Sequence, residues 1–207
     1  GGSNTVSGAA NINAGGSYDL APGQALSVGS LLVDSAGAFT GTGTVTAPGN
    51  ITDQSTAGTI DTNYNGANIS LAADVMNGAI TASESISLDS ITVEGVVTGT
   101  AMTLSGGTIL NGAVNLQPYV LNNYYNRSVI NNAAGDNVIA GNVAITPLSV
   151  ERVLGEIVGG QLVPSIEIVD SATIDVAAGN LLISGNLDAA DMYMGLNVAA
   201  GSSLSLQ

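Results

Sequence analysis

ITASESISLDSITVEGVVTGTAMTLSGGTILNGAV, residues 80–114, is the stretch whose spacing decides the fold. Apolar residues expected to face inward recur at Ile80, Ile86, Ile91, Val97, Met102, Ile109 and Val114, in steps of 6, 5, 6, 5, 7 and 5. Between them stand Gly, Asn, Ser and Asp, the residues of tight turns. Local runs such as Ser85-Ile86-Ser87-Leu88 and Met102-Thr103-Leu104 alternate apolar with polar, which is the period of a strand. Strands of a sandwich recur about every eight to twelve residues, so a recurrence of five to seven favours a β-solenoid. With three short strands per turn of the coil, each rung takes roughly 16–18 residues. An antiparallel β-sandwich or jelly roll is the alternative arrangement.

The same texture extends outward over residues 38–116, and 1–117 reads as a short-strand solenoid-like half. After Pro118 the runs lengthen, as in Asn137–Thr146 and Leu162–Asp170, and the rhythm fades. Residues 118–207 are expected as a longer-strand half packed on the first within one continuous domain. Residues 118–132 read as an excursion from the framework. In residues 149–158 the positions Val150, Val153, Leu154, Ile157 and Val158 fit helical spacing, which predicts one short helix. The same segment also reads as half of a hairpin turning on Gly159-Gly160. Asn65-Gly66, Asn77-Gly78, Asn111-Gly112 and the pairs Gly15-Gly16 and Gly106-Gly107 are expected at turns that need positive φ.

Composition removes whole classes of function. Sixteen acids against two basic residues give a net charge of −14, with no His, Cys or Trp in 207 residues. Arg127 and Arg152 are the entire basic inventory, so a nucleic-acid partner or an anionic membrane surface finds almost nothing to neutralise it. Zinc, haem, iron–sulfur and copper sites lack their usual ligands. No run of about twenty apolar residues suggests membrane insertion. Yet 45% of residues are apolar, ample for a core and unlike a disordered chain. The opening Gly1-Gly2-Ser3-Asn4, without an initiating Met, is what a processed, secreted chain would show.

Candidate sites are few. The carboxylate pairs Glu84/Asp89, Asp170/Asp175 and Asp188/Asp191 have spacings that glycoside cleavage could use, but they read better as solvated turn residues, and no enzyme activity is expected. Calcium is the one cofactor considered, at Asp136 within Ala134-Gly135-Asp136-Asn137, since hard cations take carboxylates and carbonyls. Tyr119, Tyr124 and Tyr125 beside Arg127 concentrate half of the chain's tyrosines in one short segment. They suit either a subunit contact or a stacking platform for glycan.

Gly41-Thr42-Gly43-Thr44-Val45-Thr46 and Met102 to Gly112 resemble the passenger regions of bacterial autotransporters and haemagglutinin-like adhesins. The resemblance implies a right-handed β-helix, secretion and a role at the cell surface. Residues and resemblance together lead to one expectation: an extracellular structural protein whose copies assemble into a filament, sheath or lattice by strand addition. An adhesin or fibre module that binds glycan through the Tyr-rich loop is the alternative.

Overall fold

The computed structural model describes the backbone of residues 2–56, 58–117, 119–121, 124–126, 129–146, 151–158, 161–168, 171–189 and 193–207. The chain is all-β. Each turn lays strands on three sides in succession, and turns stack in parallel as a β-solenoid. Ser3–Ile12, Ala25–Val33, Thr44–Asp53, Asn63–Leu71 and Ile80–Asp89 each cover the first side, break register at a corner and continue along the second. Further on, the first side is formed by Val97–Gly99, Val114–Leu116, Val143–Ile145 and Leu187–Asp188. The second is formed by Ala101–Ser105, Val129–Asn132, Ser171–Val176 and Tyr193–Val198. Ser17–Leu20 and Ala38–Gly41 begin the third side. It continues from Thr59–Ile60 through Val75–Met76, Thr92–Val93, Ile109–Leu110, Asp136–Ile139 and Asn180–Ile183 to Ser203–Leu206.

Register gives the length of a turn directly. Ile80 faces Tyr64 on one side and Val97 on the other, and Val97 faces Val114. Side chains bonded across adjacent turns repeat the interval: Asn77 to Asp61 spans 16 positions and Asn111 to Glu94 spans 17. That is the expected solenoid spacing, and the parallel pairing excludes the antiparallel sandwich. At about 4.8 Å per turn, nine stacked strands on the first side make a rod about 40 Å long.

Vertical columns of like residues fill the interior. Ile51, Ile69, Ile86, Met102, Ile130 and Ile174 face one another in sequence, each at most 1% exposed. On the third side Met76, Val93, Leu110, Ile139 and Ile183 do the same. Burying each such side chain contributes about 1.5–3 kcal/mol, and together they offset the cost of ordering many short strands. The inward position on the third side is Leu110, not the expected Ile109, which is 38% exposed. Counting steps fixed the strand but missed its face, because a slip of a single position reverses the side chain.

Two further expectations are corrected. Residues 149–158 do not form the short helix: Glu151–Val158 is a strand, paired antiparallel with Gln161–Ile168 so that Val158 faces Gln161. Gly155 and the β-branched Val153, Ile157 and Val158 weaken a helix and suit a strand. The Asn-Gly glycines also serve a purpose other than positive φ. Gly15, Gly106 and Gly107 do have positive φ, whereas Gly66, Gly78 and Gly112 do not. Gly78, Gly95, Gly112, Gly141 and Gly185 form a column at the corner leading from the third side to the first. A Cβ on any of the last four would overlap the carbonyl oxygen of the glycine one turn before it. At this corner the amides of Asn111 and Gly112 both donate to the Val93 carbonyl, at 2.8 and 3.3 Å.

Candidate functional site

Beyond Leu116 the large departures from the regular turn occur at a single corner. Val114 faces Val143 and Val143 faces Leu187. Bonds across the same two turns, Asn137 to Thr108 and Asn142 to Asn186, span 29 and 44 positions where Asn111 to Glu94 spans 17. The first excess lies between Leu116 and Val129, the second between Ile145 and Ser171. The next turn is longer as well: Asn197 bonds to Asp175 across 22 positions, and its extra chain falls between Asp188 and Tyr193. Each insertion leaves from the end of the first side and returns at the start of the second. In these turns the other two corners keep short connections, such as Leu110 to Val114 and Ile139 to Val143. In the early turns this insertion-bearing corner is where register breaks, at Ser27/Leu31, Ala47/Asn50 and Gly66/Asn68. A bulged corner already interrupts the ladder, so extra chain there costs the sheets nothing.

The two larger insertions are antiparallel hairpins, Tyr119–Leu121 with Tyr124–Asn126 and Glu151–Val158 with Gln161–Ile168. Tyr119, Tyr124 and Tyr125 therefore sit on the first hairpin, Tyr119 facing Asn126 and Tyr125 facing Val120. Their side chains, and Arg127 as a whole, lie outside the described residues. Both arginines of the chain belong to these insertions in sequence.

Along the same corner, before the first hairpin, runs a groove of about 310 Å³. Its outer wall is Asn65, Thr81 and Thr98, which face one another on consecutive turns of the first side. Ala82 and Gly99, inward-facing positions of the column that continues with Leu116 and Ile145, complete its lining between the two walls. Ser83 and Thr100 form the inner wall, joined by a bond from the Thr100 hydroxyl to the Ser83 carbonyl at 3.3 Å. Gln117, whose amide donates to the Gly99 carbonyl at 2.8 Å, closes the end and leads into the hairpin. Among the described residues, every polar side chain lining it is a neutral hydroxyl or amide. Sequence reasoning missed this site, although Asn65, Thr81 and Thr98 recur at the interval of the turn itself.

Asp136 is exposed, and its carboxylate accepts from the Asn180 side-chain amide at 2.8 Å. Among the described residues no three His, Cys, Asp or Glu side chains gather as metal ligands do. The paired carboxylates are dispersed along the outer surface. Glu84 accepts from Asn68 at 2.8 Å, Asp89 from Ser105 at 3.0 Å and Asp175 from Asn197. Asp188 is exposed, while Asp170 and Asp191 lie outside the described residues. On the third side Asp61 accepts from Asn77 and Glu94 from Asn111, at 2.7 and 2.8 Å, so acids and amides alternate up the rod. In a chain without lysine, amides of the next turn supply the donors that cations supply elsewhere.

Among the described residues, two polar clusters lie inside the solenoid. Asp53 is fully buried and accepts from the Tyr64 hydroxyl at 2.6 Å, and from the Ser55 amide and hydroxyl at 2.9 and 2.6 Å. Burial first, then the charge and hydrogen bond of Asp53, hold the Tyr64 hydroxyl well above its ordinary pKa. Lower in the rod, the Asn137 side chain donates to Asn132 at 2.6 Å and accepts from the Thr108 amide at 2.7 Å. The Asn132 amide in turn donates to the Ala178 carbonyl at 2.6 Å. Both clusters are satisfied internally and neither opens into the groove, so their part is in the architecture. No protein-family model, curated protein or solved structure matches the chain.

Proposed function

We propose that this chain is an extracellular structural protein, a rod whose copies stack or pack side by side into a filament, sheath or surface lattice. One observation carries the reading: the acids on the described flanks are met by side-chain amides of a neighbouring turn, Asp61 by Asn77 and Glu94 by Asn111, so each turn presents the same ladder of polar side chains to a rod beside it. Charged residues make up only 9% of the chain, so few ions lose water when rods pack side by side.

Electron microscopy of the purified protein, with light scattering over a range of concentrations, tests the reading. Ordered sheets are expected, or rods much longer than the about 40 Å that sheet spacing gives a single chain. A monodisperse particle of one chain at every concentration overturns it.

A further inference from the structure

The groove beside the first hairpin binds a ligand in its own right, we infer: an extended, uncharged, β-linked glycan lying along the rod axis. This goes beyond assembly and does not depend on it. Insertions in solenoids gather on the face that meets a partner, and here three consecutive turns place theirs at a single corner, with the groove alongside. The groove draws on four consecutive turns, through Asn65, Thr81 to Ser83, Thr98 to Thr100, and Gln117. At about 4.8 Å per turn it is about 14 Å long. One turn advances by nearly the length of one pyranose in an extended β-linked chain, so successive sugars meet equivalent hydroxyls or amides.

Chemistry narrows the ligand class. Asn65 and Gln117 offer both donors and acceptors, Thr81 and Thr98 hydroxyls that do either, and this matches the mixed hydroxyls of a neutral sugar. Phosphate, sulfate or uronate groups would find no cation in the lining and a net charge of −14 around it. An apolar ligand would leave the lining hydroxyls and amides without partners. At about 310 Å³ the groove lies at the small end of ligand sites, enough for a short segment of a longer chain.

Isothermal titration calorimetry with cellotetraose, xylotetraose and chitotetraose, and with polygalacturonate as the anionic control, tests the assignment. At least one neutral tetraose should bind, and polygalacturonate should not. Thr81→Val with Thr98→Val keeps shape and strand propensity while removing two hydroxyls, and should weaken binding about tenfold with an unchanged circular dichroism spectrum. Asn65→Ala supplies a second, independent loss. The assignment fails if no neutral tetraose binds at millimolar concentration, or if polygalacturonate binds as well. It also fails if these variants bind as the parent does while Tyr124→Ala with Tyr125→Ala does not, which would move the site onto the hairpin. A monomer that binds the sugar would overturn the assembly reading and leave this one standing.

Discussion

Asp53 is a buried carboxylate in a protein with no lysine or histidine, and the Tyr64 hydroxyl is one of three donors that hold it. The pair sets an alkaline limit on the fold. With the Tyr64 pKa raised above its unfolded value of about 10, the unfolded chain releases its proton first as pH climbs. Stability from this group is complete below about pH 10 and is lost progressively as pH rises toward the folded value. Urea denaturation from pH 8 to 11.5 should show a falling midpoint, and Tyr64→Phe should flatten that fall. The same variant should cost about 1–3 kcal/mol at pH 7, because Asp53 loses a donor. Gly112 makes a different demand. A methyl group there meets the Gly95 carbonyl oxygen, so Gly112→Ala should lower stability by about 3 kcal/mol. Gly201→Ala, with open space around it but φ +83°, should cost about 1–2 kcal/mol through backbone strain alone.

For the strands and their connections, the decisive feature is that register resumes unchanged after each insertion. Met102 faces Ile130 across the first hairpin, and excising 118–128 would return the pair to the ordinary interval, the one between Glu94 and Asn111. That deletion should preserve the β-rich circular dichroism spectrum and shift the Tm by no more than about 3 °C, the equivalent of about 1 kcal/mol. A large loss of Tm would show that the hairpin supports the rod. The middle turns were legible because their inward positions are filled mostly from a narrow set, Ile, Val, Leu or Met, at an interval that Asn77-Gly78, Glu94-Gly95 and Asn111-Gly112 punctuate. Beyond Pro118 the interval was hidden by the hairpins, whose own alternating residues look like framework strands. The helix expected at 149–158 failed for a related reason: in a hairpin of apolar, β-branched residues, several positions also satisfy a helical period. The groove was illegible because its lining is assembled from four turns, and hydroxyls and amides so far apart in sequence meet only once the length of the coil is known. Asp53 and Tyr64 stand more than half a turn apart in sequence, and could not be paired without knowing where the chain bends.

At the scale of the whole rod, charge opposes contact. A net −14 keeps copies apart at neutral pH, and this repulsion fades near the isoelectric point of about 4.1. Light scattering at low salt should therefore rise steeply as pH is lowered from 7 toward 4, and added salt at pH 7 should move the protein the same way by screening. If association is insensitive to both, apolar contact outweighs charge. One consequence of the interior polar clusters belongs here too. Turns between Asn63 and Leu116 are nearly equal in length and so nearly interchangeable, and a folding chain that skipped one would still set isoleucine on isoleucine. The clusters at Asp53–Tyr64 and Asn132–Asn137 do not recur. Skipping a turn at the first strands a buried carboxylate without its phenol, and at the second seats the Asn137 amide over Ile91, where Thr108 belongs. A polypeptide built from copies of one coil needs fixed points from which to count, and these two buried clusters are its bookmarks.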